Sequence, residues 1–144
     1  MSAMQVDTVY PRSTKDEIDG LPYFLRMCHK VRLHAAGELG DDYQANLGKG
    51  MDLWTCQLLQ VEYQELVHFI TASGADDRAA LDWCYENGTK PESPIKDWWC
   101  SYMRNCGFQD GLSERLLMRV AEAGLQNRPD IHTFFDFIDA EEGR

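Results

Sequence analysis

From Ile95 the chain sets apolar side chains at Ile95, Trp98, Trp99, Tyr102, Met103 and Cys106, which is the i, i+3, i+4, i+7, i+8, i+11 spacing of one helical face. Ser93-Pro94 stands just ahead, an N-cap serine followed by a first-turn proline. A pleated strand brings every second residue to one face, so this stripe demands a helix. It also demands neighbours to cover it.

The same period runs through most of the chain. Met51, Trp54, Thr55, Leu58 and Leu59 repeat at helical spacing, as do Tyr63, Leu66, Val67 and Ile70 ahead of Gly74. Ala79, Ala80, Trp83 and Cys84 mark a helix closed by Asn87-Gly88. Leu112, Leu116, Leu117 and Val120 mark one stopped by Gly124, and Asp130 is the expected cap of a last helix with Ile131, Phe134, Phe135 and Ile138 inward. No run alternates as a strand should. The fold class is therefore all-α, a single compact domain of about seven helices with short connections.

The sequence predicts a loose N-terminus over residues 1–9 and one helical domain over 10–144. Thr14-Lys15-Asp16-Glu17 matches a capping box, and a first main helix is expected from about Leu21 to Ala36, with Gly37 as its stop. The polar, glycine-rich stretch Glu38 to Gly50 reads as a long loop. The aromatic groups Trp83, Trp98, Trp99 and Phe134, Phe135, Phe137 read as core.

Charge narrows the partners. Fourteen Lys and Arg against twenty-four Asp and Glu leave a formal net charge of −10, which repels nucleic-acid phosphates and anionic lipid. No stretch approaches the roughly 20 apolar residues of a membrane span, and "MSAMQVDTVY" lacks the basic and hydrophobic regions of a signal peptide. A cytoplasmic location without membrane or nucleic-acid partners is expected. Five cysteines, an odd number without a C-x-x-C pair, read as buried thiols in a reducing compartment.

On the first helix, Leu21, Phe24, Leu25, Cys28, Val31, Ala35 and Ala36 share a face, and Arg32 falls in its middle. A guanidinium there needs a carboxylate or an anionic ligand. Asp139 is the expected partner and Asp42 the second. Arg26 and Lys30 lie on the opposite flank and read as a solvated pair. As a binding constellation, Arg12, Arg26, Lys30 and Arg32 with Asp42 and Tyr43 would hold an anionic group.

Three weaker patterns remain. Glu65-x-x-His68, with Glu62 a turn earlier, has the carboxylate and imidazole spacing of di-iron bundles, but there is no second copy, so no metal is assigned. His132 and Asp139 lie along one flank of the last helix and are the acid/base candidates. No glycine-rich phosphate loop and no nucleophile with a partner is present, and no cofactor is expected.

The opening Tyr10-Pro11-Arg12-Ser13, the pair Gly20-Leu21, the set Arg26, Lys30 and Arg32, the stretch Gly37 to Gly40 and the ending from Asp130 to Arg144 are together a recognisable text. In these the chain resembles a bacterial domain-of-unknown-function family of small proteins with a Tyr-Pro-Arg-Ser opening. The resemblance implies that both ends and the first helix carry the family's pattern, that the terminal D-A-E-E-G-R is ordered, and that Glu65-x-x-His68 is particular to this chain. It brings no substrate, cofactor or catalytic residue. Two readings follow: a cytoplasmic helical binding or interaction module, engaging a small anionic molecule or a protein and compatible with a homodimer; or a small cofactor-independent enzyme with an anion pocket between the first and last helices.

Overall fold

The computed structural model describes residues 9–144, so most of the stretch expected to be loose lies outside it. Asp19 and Gly20 both adopt positive φ, 52° and 75°, and turn the chain through a two-residue hairpin. The turn pairs β1 (Glu17–Ile18) with β2 (Leu21–Pro22) antiparallel, Ile18 opposite Leu21. This corrects two expectations. Leu21 and Pro22 belong to the hairpin and not to the first helix, and the capping box does not form. The Thr14 hydroxyl is instead buried without a hydrogen-bond partner, and Glu17 accepts from Arg104.

The rest is helical: α1 (Phe24–Ala35), α2 (Asp41–Gln44), α3 (Met51–Leu59), α4 (Tyr63–Ser73), α5 (Asp77–Asn87), α6 (Ile95–Asn105), α7 (Ser113–Glu122) and α8 (Phe134–Glu141). The short α2 lies inside the expected loop and accounts for an eighth helix among the described residues. The last helix begins later than Asp130 because Thr133 caps it, its hydroxyl accepting the Asp136 N–H at 3.1 Å. Pro94 occupies the N-cap position of α6, and the Ser93 hydroxyl donates to Asp97.

Helix α1 is the central element. Phe24, Met27, Cys28 and Val31 pack with Leu59 of α3, Leu66 and Ile70 of α4, Ala80, Leu81 and Cys84 of α5, Met103 of α6 and Phe135 of α8. A smaller cluster of Leu116, Val120 and Phe137 joins α7 to α8. Apolar burial of this kind is the main driving force for assembly. All five cysteines are buried and free. Burial pushes the Cys56 and Cys84 thiols up to about 12, which leaves them protonated packing groups.

Candidate functional site

The candidate cations pair with the chain's own carboxylates, Arg26 and Lys30 in buried positions, Arg32 in a partly buried one and Arg12 at the surface. The side of α1 that carries Arg26 and Lys30 is enclosed, Arg26 by Glu142 at the end of α8 and Lys30 by Asp52 of α3, and the two residues are 4% and 5% exposed. Their expected solvation is corrected. The guanidinium of Arg26 donates to both oxygens of Glu142 at 2.8 Å and to the Arg12 carbonyl at 3.0 Å. Tyr43 donates to the same carboxylate at 2.6 Å, and Arg144 donates to it at 2.6 Å and to the Pro11 carbonyl at 2.5 Å. Burial acts to raise the Glu142 carboxyl, but the bonds from Arg26 and Tyr43 outweigh it and hold the group below the ordinary range.

Lys30 meets Asp52 of α3 at 2.7 Å, and Tyr23 donates to the same Asp52 oxygen at 2.6 Å. The second Asp52 oxygen accepts the Gly48 N–H at 3.0 Å. Burial lowers the Lys30 ammonium despite the adjacent carboxylate, and burial followed by the charge of Asp52 raises the Tyr23 phenol well above its usual value. Tyr23 itself holds φ 73°, a left-handed conformation costly for an aromatic residue. The Lys30–Asp52–Tyr23 group fixes it there.

Arg32 does not meet Asp139 or Asp42. It lies near the C-terminal end of α1, where it donates to Asp77 of α5 at 2.6 Å and to the Ala75 carbonyl at 3.1 Å. Arg12 reaches the other Asp77 oxygen at 3.3 Å. The two arginines thus converge on one carboxylate, and it belongs to the chain. Asp139 accepts from the Ser13 hydroxyl at 2.8 Å and also faces Arg144 and Lys15. His132 is exposed and contacts α8 through its backbone N–H, which donates to Asp136. Asp42 is exposed on α2.

Glu65 and His68 line a shallow groove of about 590 Å³ between α4 and α5, floored by the stacked rings of Phe69 and Trp83 at 5.3 Å. Glu62 is exposed just ahead of α4. No group of three or more His, Cys, Asp or Glu placed to hold a metal ion occurs among the described residues.

A second groove, of about 470 Å³, runs between α3 and α6 and is lined by Trp54, Gln57, Leu58, Ile95, Trp99 and Tyr102. Trp54 and Tyr102 meet edge to face at 5.8 Å, and the Trp99 indole N–H donates to the Trp54 carbonyl at 3.2 Å. Around the groove Trp98 is 67% exposed, Ile95 62%, Tyr102 49% and Leu53 43%. The reading of Trp98 as core is therefore corrected. Helix α6 buries Cys100 and Met103, so its buried side is displaced from the centre of its apolar stripe towards Cys100. Half of the stripe faces outward.

Sequence reasoning missed this face because periodicity locates an apolar stripe but not what covers it. The signal lay in the width of the stripe: Cys100 extends the apolar arc of α6 beyond what one neighbouring helix hides.

These features define a small helical domain whose candidate cations close on its own carboxylates and whose apolar surface opens between α3 and α6. The family model for a domain of unknown function (DUF5069) matches residues 8–144, and the chain belongs to that family. Searches of the curated proteins and of the solved structures returned no match. No helix of the described residues is long and apolar enough to cross a membrane.

Proposed function

We propose that this protein is a helical interaction module that docks another protein surface through the α3/α6 face. The observation that carries this reading is the exposure of Ile95 and Tyr102, which line one groove, together with that of Leu53 and Trp98, each next in sequence to a residue that lines it. Large apolar side chains gathered in one patch raise the free energy while they remain in water and lower it when a partner covers them. Trp and Tyr are also the residues on which binding energy concentrates.

The anion-binding reading is less well supported. Arg12, Arg26, Lys30 and Arg32 each contact a carboxylate of the chain, so an external anion would have to displace Asp77, Glu142 or Asp52 from pairs that are partly or fully buried. Neither groove described above is lined by these residues.

A photo-crosslinking amino acid introduced at position 98 or 95 tests the docking reading in cells expressing the protein. Defined adducts are expected from these positions and not from position 117 on α7, which is just as exposed. Absence of adducts from 95 and 98, or equal adducts from 117, would end this reading.

A further inference from the structure

We propose that the occupant of the α3/α6 face is a second copy of this chain, paired about a two-fold axis; this rests on the docking reading above. A two-fold interface brings one patch against itself, so the patch must carry both a projection and the recess that receives it. This face has both. The groove is walled by Trp54, Leu58, Trp99 and Tyr102, and Trp98, which precedes groove-lining Trp99 on α6, is 67% exposed. Trp98 of one protomer can enter the groove of its partner while the partner's Trp98 enters the first.

Charge favours this face for self-association over other parts of the surface. The chain carries a net charge of −10, so two copies repel at most approaches. None of the residues lining the groove is charged, and neither are Leu53 and Trp98. The nearby charges on α6 are already engaged within the chain: Lys96 with the Asp19 carbonyl at 2.6 Å, Asp97 with Ser93 at 2.7 Å and Arg104 with Glu17 at 2.7 Å. Covering the face therefore strips water from apolar groups and leaves these polar contacts in place.

Area bounds the strength. Four large side chains, each roughly half exposed, offer about 500 Å² per copy, and the groove walls bring the pair towards about 1,200 Å², the lower end of specific interfaces. The dimer is accordingly reversible, with a dissociation constant in about the micromolar range. Salt should tighten it, because the bulk charge is repulsive and the contact is uncharged.

Sedimentation velocity on the full chain, from about 5 to about 300 micromolar, follows the monomer–dimer equilibrium directly. A dimer is expected that strengthens between about 50 and about 300 mM salt, with Trp98→Ser and Ile95→Ser each weakening it at least about tenfold. Leu117→Ser, on α7, should leave it unchanged. A wild-type chain that stays monomeric throughout, a dimer indifferent to both α6 substitutions, or one lost with Leu117→Ser would overturn the proposal. A monomer that still gives position-98 adducts of unequal mass in cells would overturn the self-pairing and leave the docking reading standing. A monomer without adducts removes both.

Discussion

The Arg26 guanidinium ties three distant parts of the chain together, since Glu142, the Arg12 carbonyl and, through Glu142, Tyr43 and Arg144 all meet at it. Removing one partner of a buried pair leaves the other charge without compensation, which costs about 3–5 kcal/mol. Arg26→Ala is expected to lower the unfolding free energy by about 3 kcal/mol in urea titrations, because Tyr43 and Arg144 retain part of the compensation. His29 provides a pH-dependent contact: its Nδ1 accepts the Arg12 N–H at 2.9 Å, which requires a neutral ring. Burial, then the charges of Arg32 and Arg12, lower this imidazole below its ordinary value of 6.5; Arg26 adds to the effect and Asp77 opposes it. The folded state thus binds the proton less readily than the unfolded chain. The stabilisation is complete above pH 6.5 and is lost as pH falls through the lowered folded value. Urea midpoints should decline between about pH 6.5 and about pH 5 in the wild type, with a flatter profile in His29→Asn, which keeps an acceptor but does not titrate.

At the scale of elements, helix ends decide how closely neighbours approach. The end of α5 runs against the end of α3, where the Thr89 N–H donates to the Leu59 carbonyl at 2.8 Å. A Cβ on Gly88 would stand 2.0 Å from that carbonyl oxygen and 2.8 Å from Gln60 O. Gly74, which caps α4 at φ 65°, has open space around it. Gly88→Ala should therefore cost more than Gly74→Ala, about 3 against about 1 kcal/mol by denaturant unfolding. Equal losses would show that backbone conformation and not close approach governs both sites. Seven helices were legible from the 3.6-residue period, with ends near Gly74, Asn87-Gly88 and Gly124. The hairpin and α2 were not: a two-residue strand has no period to read, and one helical turn inside a polar loop carries no apolar stripe.

At the scale of the molecule, α1 is enclosed, and this enclosure redistributes the charges. A wheel of α1 assigns Arg26 and Lys30 to a solvated flank because it knows only the apolar side. In the fold α8 and α3 close over that flank and bring Glu142 and Asp52 with them. Arg32, on the apolar side, reaches Asp77 because α1 is ending there and α5 begins beside it. The same limit hid the docking face. The apolar spacing of α6 was explicit from Ile95 to Cys106, yet its angular setting depends on where α3 and the Glu17–Pro22 hairpin sit, and these leave Ile95, Trp98 and Tyr102 outward. If copies pair there, that outward surface is completed at the level of assembly. The sequence by itself determined the helical class, because periodicity is a local property of backbone geometry and side-chain spacing. It also determined that an arginine on an apolar face must find a carboxylate or an anionic ligand. Which carboxylate, and which half of a wide stripe remains in water, only the tertiary structure decided, because both depend on contacts between residues tens of positions apart.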